Sequence, residues 1–122
     1  MISVDTSRWA DHFRQAVADL TMLVANDLVL QHPFVTGELA MGNPADRQAM
    51  IDTLEALPQA PVTGWSQLLD FAGRQELGGT GIGYVDAHLL ASAVGHDGTR
   101  LWTRDKRLGD HAHRLGVAYA PK

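Results

Sequence analysis

The chain has no cysteine among its 122 residues. That excludes disulfides, thiolate zinc sites and thiol nucleophiles together, so any metal must be held by oxygen or imidazole. It also has no apolar run approaching the roughly 20 residues that cross a bilayer, and no membrane association is expected. Met1 to Asp5 carry no basic stretch followed by an apolar segment, so the N-terminus reads as the entry to a strand rather than as a secretory signal, and a cytoplasmic location is expected. Internal repeats and low-complexity tracts are absent as well. What is present, 45% hydrophobic and 20% charged residues, suits one globular domain over residues 1–122.

The net charge of −4 opposes a broad basic surface, but it conceals a division. Residues 1–98 carry four arginines against twelve acids; Arg100, Arg104, Lys106, Arg107, Arg114 and Lys122 follow, with only Asp105 and Asp110 opposing them. Because salt confines each charge to about 8–10 Å, a local excess can meet phosphates on an acidic molecule. A solvated helix face is the competing reading.

Short apolar strands alternate with helical patterns. Ile2-Ser3-Val4 reads as a strand, and Asp5-Thr6-Ser7 as a helix start. A helical pattern through Trp9, Phe13, Val17 and Leu20, broken once, leads to a strand at Leu28-Val29-Leu30. A helix entered at Pro33 runs to Gly42, and another restarts at Asn43-Pro44. An edge strand is expected at residues 60–62, then a helix with Trp65, Leu68, Leu69 and Ala72 inward and Asp70 paired with Arg74 outward. Residues 78–83 are glycine-rich and form a turn or loop, without the lysine and hydroxyl of a phosphate-binding loop. A helix beginning near Gly83 or Tyr84, a strand at Leu101-Trp102, a helix over 105–115 and a strand at Val117-Ala118-Tyr119 complete the chain. This order implies an α/β fold with a mainly parallel sheet covered by helices on both faces. Ligands then bind beyond the carboxyl ends of the strands, where Asp5 and Asp105 should approach each other.

Two acids lie in phase with apolar residues. Glu38 follows Phe34 by four and adjoins Leu39; Asp86 precedes Leu89 and Leu90 by three and four. Both are expected at the inner edge of a helix, where an ionised carboxylate needs a proton, a base or a cation. No lysine or arginine stands at helical spacing to neutralise either, and a hard divalent cation such as Mg2+ or Mn2+ is the economical partner. Helix capping competes for Asp5, Asp86 and Asp105, and a partly exposed stripe edge for Glu38.

The segments Val4-Asp5-Thr6-Ser7-Arg8-Trp9, Thr36-Gly37-Glu38-Leu39-Ala40-Met41-Gly42, Tyr84-Val85-Asp86-Ala87-His88-Leu89-Leu90-Ala91-Ser92-Ala93 and Leu101-Trp102-Thr103-Arg104-Asp105-Lys106-Arg107-Leu108 together resemble the PIN-domain superfamily, and within it the VapC-type toxin ribonucleases. The resemblance spans essentially the whole chain. It implies a three-layer α/β/α PIN-like fold, a Mg2+ or Mn2+ site built by Asp5, Glu38, Asp86 and Asp105, and endonucleolytic cleavage of RNA. It further implies a homodimer and inhibition by a cognate antitoxin protein. Thr6 and Thr103 resemble the hydroxyls beside such a site, and Arg104, Lys106 and Arg107 are candidates to contact RNA phosphates.

Other readings carry less. A phosphatase or phosphotransferase using Asp5 as nucleophile would want a second Asp two residues on, where Ser7 stands; a non-catalytic binding module of the same fold is a third reading. His111 and His113, two apart on a helix, point to different sides and do not suit zinc. His88 is expected as a surface or supporting residue. Trp9, Trp65 and Trp102 are expected in the core rather than stacked on bases.

Overall fold

The computed structural model describes residues 1–121. Its elements are β1 (Ile2–Val4), α1 (Thr6–Arg14), α2 (Ala18–Ala25), α3 (Pro33–Ala40), α4 (Arg47–Glu55), α5 (Trp65–Arg74), α6 (Tyr84–Gly95), β2 (Arg100–Trp102) and α7 (Lys106–Arg114). β1 and β2 pair in parallel, Ile2 opposite Arg100 and Val4 opposite Trp102. Single parallel bridges, Ile2 with Val29, Gln31 with Gln59 and Leu101 with Ala118, extend the pairing on both sides. The order across the sheet is therefore residues 58–60, 28–31, β1, β2 and 117–119, all parallel, the α/β arrangement expected.

The expected strands at 28–30 and 117–119 are reduced to these bridges. Residues 28–31 enter from a left-handed Asp27 (φ 54) and turn at once into α3, leaving room for only two ladder bonds to β1, Ile2 N–H to Leu28 O at 2.7 Å and Leu30 N–H to Ile2 O at 2.9 Å. The expected edge strand at 60–62 pairs earlier, through Gln31 N–H to Pro58 O and Ala60 N–H to Gln31 O. Pro61 has no N–H to carry the ladder further. α4 starts at Arg47 rather than at Asn43-Pro44 because Asp46 caps it, accepting from Ala49 N–H at 3.1 Å.

α6 is the central helix: every residue from Ala87 to Ala93 is buried, as befits a helix covered all round. It packs against α5, α7 and β2. Leu89, Leu90, Leu101, Leu108, Trp9, Leu20 and Leu54 are fully enclosed in one core. α5 buries only a narrow stripe, Leu68 and Phe71, because it meets α6 alone among the helices it contacts substantially. Trp65 and Leu69, expected inward, face solvent instead, Trp65 at 65% exposure. The outward Asp70–Arg74 pair forms as expected, at 2.9 Å. Among the described residues no helix is long and apolar enough to cross a membrane.

Candidate active site

A parallel pairing brings the ends of β1 and β2 to one edge, so the residues that follow them, Asp5 and Thr103, meet. Asp5 N–H donates to Trp102 O at 3.1 Å, extending the ladder by one bond. The Asp5 side chain is buried, 4% exposed, and fully engaged. Its Oδ1 accepts from Ser7 Oγ at 2.6 Å and from Arg8 N–H at 3.0 Å, capping α1. Its Oδ2 accepts from the Thr103 hydroxyl. Thr103 Oγ1 in turn accepts from Asp105 N–H at 3.0 Å, and Ser7 Oγ from Arg104 N–H at 3.1 Å. Two hydroxyls thus stitch the end of β1 to the loop after β2 and fix the Asp5 carboxylate in one orientation.

Thr103 was expected beside the site; Ser7 was not, having been noted as standing where a phosphatase would want its second Asp. Its signal was local: a hydroxyl two residues after a helix-capping Asp can reach back to that carboxylate.

Asp105 caps α7, its Oδ1 accepting from Leu108 N–H at 2.9 Å. Capping therefore accounts for one oxygen each of Asp5 and Asp105. Asp86 stands differently: it is the third residue of α6, whose cap residue Gly83 has no side chain, and its carboxylate meets the Gly83 backbone N–H. Glu38, expected at an inner edge, is exposed: Val35 and Leu39 take the buried positions of α3, and the Glu38 carboxylate turns outward to accept from Thr6 Oγ1 at 2.6 Å. Thr6 is therefore beside the site as expected.

Half-buried Asp86 shows that the four acids share one field. Burial pushes its pKa up to about 6, and repulsion from Asp105, Asp5 and Glu38 adds to that, against an opposing backbone hydrogen bond at Gly83. None of the ion pairs among the described residues involves the quartet. As placed, no three of the described acids or histidines stand close enough to grip one ion, so binding would have to draw them together. Their chemistry fits a hard cation: oxygen donors, unneutralised, at the carboxyl end of a parallel sheet.

The basic residues are arranged unequally. Arg104 Nε donates to Asp11 at 2.9 Å, which with Arg8 and Arg14 holds the Asp11 carboxyl below the usual range. Lys106 pairs with Asp110 at 3.0 Å across one helical turn, a fully exposed contact. Arg107 lies against the glycine-rich loop, where a Cβ on Gly81 would collide with Arg107 Nη1. Gly81 also has φ +86, a conformation side chains resist. Gly81→Ala should displace the guanidinium and cost about 1–2 kcal/mol for the left-handed backbone. Urea unfolding checks this, and Arg107→Ala combined with it should recover none of the loss.

His88, expected at the surface or in support, is buried, since α6 has no solvent face at that position. Its ring lies 5.9 Å from that of buried His32 and 4.7 Å from Phe34, joining α6 to the start of α3. Burial drives the pKa of both histidines down, that of His32 to about 4. Trp9 and Trp102 are buried as expected.

No family model matches the chain. Two curated relatives, each called Ribonuclease VapC32, come from Mycobacterium tuberculosis strains CDC 1551 / Oshkosh and ATCC 25618 / H37Rv. Each is 46% identical over 120 residues, 98% of this chain and 97% of its own length. The crystal structure of PAE2754 from Pyrobaculum aerophilum shares the fold, with a TM-score of 0.62 at 14% identity over 94% of both chains. With nearly half of all residues identical from end to end, this chain belongs to the VapC family of toxin ribonucleases.

Proposed function

We propose that this chain is an endoribonuclease whose hydrolysis of RNA phosphodiester bonds depends on Mg2+ or Mn2+ held by Asp5, Glu38, Asp86 and Asp105. The observation that carries the reading is Asp86, a half-buried carboxylate whose charged form burial and the charges of Asp105, Asp5 and Glu38 all oppose. Such a cluster lowers its energy by taking up a divalent ion. A bound ion of this kind supplies a water of lowered pKa and neutralises charge developing on the phosphoryl group. Asp5 is oriented by Ser7 and Thr103, and Glu38 by Thr6, and taking up the ion requires these carboxylates to draw together. Lys106 and Arg107, both exposed, contact phosphates flanking the cleaved bond, and Arg104 does so on leaving Asp11. A cognate antitoxin occupies the site in the inhibited state, and the chain forms a homodimer.

Asp5 as a phosphatase nucleophile lacks the second Asp two residues on, where Ser7 stands and donates to the Asp5 carboxylate.

Metal binding is tested by melting the protein in millimolar Mn2+. An ion at 100 times its Kd stabilises by about 2.7 kcal/mol. The expected result is a rise in Tm at pH 7.5 that shrinks at pH 5, because protonation of Asp86 near pH 6 competes with the ion. A Tm that ignores Mn2+ at both pH values contradicts the reading.

A further inference from the structure

Arg8, Arg14 and Arg104 converge on one carboxylate. Arg14 Nη2 donates to Asp11 Oδ1 at 2.8 Å and Arg104 Nε to Asp11 Oδ2 at 2.9 Å, while Arg8 Nη1 reaches Oδ2 only at 3.5 Å. Three positive charges against one negative leave an excess of two, on a chain whose net charge is −4. A guanidinium carries five N–H donors, and Asp11 takes one from each. The side chains of Arg14 and Arg104 are 70% and 55% exposed, so their remaining donors are open to a ligand. A hollow lined by Asp11, Arg14, Gln15, Ala16 and Val17 opens beside the carboxylate.

The trio is anchored at the acidic edge by its own backbone. Arg8 N–H donates to Asp5 Oδ1 at 3.0 Å, and Arg104 N–H to Ser7 Oγ, which itself donates to Asp5 Oδ1 at 2.6 Å. The Arg8 guanidinium lies over the Trp102 ring, 5.3 Å from its centroid, at the end of β2. Asp11 chiefly, and Asp5 as well, favour the charged form of Arg104, so its guanidinium stands within the field of the acids. The surplus of positive charge therefore begins where the acidic cluster ends, between α1 and the loop after β2.

We infer that Arg8, Arg14 and Arg104 form a second phosphate subsite, for a nucleotide beside the bond cut at the acidic cluster, and that the Asp11 carboxylate fills it until RNA displaces it. The inference rests on the proposal that RNA is the substrate. A phosphodiester, like a carboxylate, presents two oxygens that share one negative charge, so guanidinium forks that grip Asp11 can grip it in turn. Exposed ion pairs are weak, and exchanging one anion for another costs little. An acidic protein segment has no reason to approach four unneutralised acids. A strand bound there through a divalent ion brings its neighbouring phosphates with it.

The experiment titrates a short, labelled single-stranded RNA of mixed sequence with the full chain in EDTA, where anisotropy reads binding without cleavage. Arg14→Ala and Arg104→Ala should each weaken binding on the order of fivefold and flatten the slope of log Kd against log salt by about 0.7, the loss of one phosphate contact on a single strand. Asp11→Asn removes the competing charge and keeps the shape, and should tighten binding on the order of threefold. A misfolded variant does not gain affinity, so this result separates a stand-in anion from a mere structural tie between α1 and the loop after β2. In Mn2+, KM for the same RNA should move with Kd in each variant. Unchanged or weaker binding by Asp11→Asn, or slopes unaltered in both arginine variants, would overturn the inference. So would tighter binding of a glutamate-rich peptide than of RNA by Asp11→Asn, which would assign the trio to an acidic protein segment. Binding that follows the three variants without Mn2+-dependent turnover would support the subsite while contradicting the proposed chemistry, so the two failures are distinguishable.

Discussion

Asp86→Asn should make the protein more stable at pH 8 and almost inactive. Burial and its acidic neighbours raise its carboxyl from the ordinary 3.8 to about 6, so between these values the native state binds more protons than the unfolded chain. Stability contributed by this group is complete below about pH 4 and is lost as pH rises through 6. Two units at about 1.4 kcal/mol each would approach 3 kcal/mol; for a half-exposed carboxylate, screening reduces the expectation to about 1–2 kcal/mol. The amide is neutral at every pH and escapes the loss. Urea unfolding in EDTA should show the variant ahead of wild type by that margin at pH 8 and level with it at pH 4. RNA cleavage should fall by at least about 100-fold, the upper end of what an outer-shell partner of a metal site costs. Stability gained where activity is lost would mark Asp86 as a group kept for chemistry, whereas a variant destabilised at pH 8 would mark it as structural.

Trp9→Ala should lose about 4–5 kcal/mol, combining the cavity left by a buried Trp with an orphaned acceptor. Trp9 is 2% exposed, and its Nε1 donates to Gln31 Oε1 at 3.1 Å. Gln31 Nε2 passes the connection on to Thr36 Oγ1 at 3.0 Å. This buried relay ties α1, which carries Thr6, to α3, which carries Glu38, through the segment between them. Against a typical domain stability of about 5–15 kcal/mol, such a loss leaves a protein that is partly unfolded at 37 °C. Denaturant titration checks it. Trp9→Phe keeps most of the packing and should lose roughly 2 kcal/mol, chiefly from unpaired Gln31.

Much of this architecture was legible in the residues, and what was not has identifiable causes. Ile2-Ser3-Val4 followed by Asp5 announced a strand and a helix cap in four residues, and both stand. The start of α6 and the break between α1 and α2 were equally plain. The segments at 28–30 and 117–119 were overread as strands because a run of apolar residues does not reveal how soon the chain must turn away. Trp65 shows a different limit. Residues 65, 68, 69 and 72 make as good a stripe as 68 and 71, and only the partner helix decides which is covered. His88 was left open between surface and support for the opposite reason: α6 is enclosed from Ala87 to Ala93, so polarity no longer signals the surface. Within the site, four acids were named from phase and resemblance, yet Glu38 proved exposed and Ser7 went unnoticed as a support. Hydroxyl bridges between residues nearly a hundred positions apart, such as Thr103 to Asp5, depend on strand pairing that periodicity alone does not supply.

The central claim is that the carboxyl edge of this sheet cleaves RNA only with a divalent ion. The direct measurement follows a fluorescently labelled single-stranded RNA under single-turnover conditions, with wild type and with Asp5→Asn whose fold is verified by circular dichroism. Cleavage by wild type should appear on adding Mn2+, stop in EDTA and return with excess Mn2+, while Asp5→Asn stays inactive throughout. Undiminished cleavage in EDTA, or a folded Asp5→Asn protein as active as wild type, would contradict it.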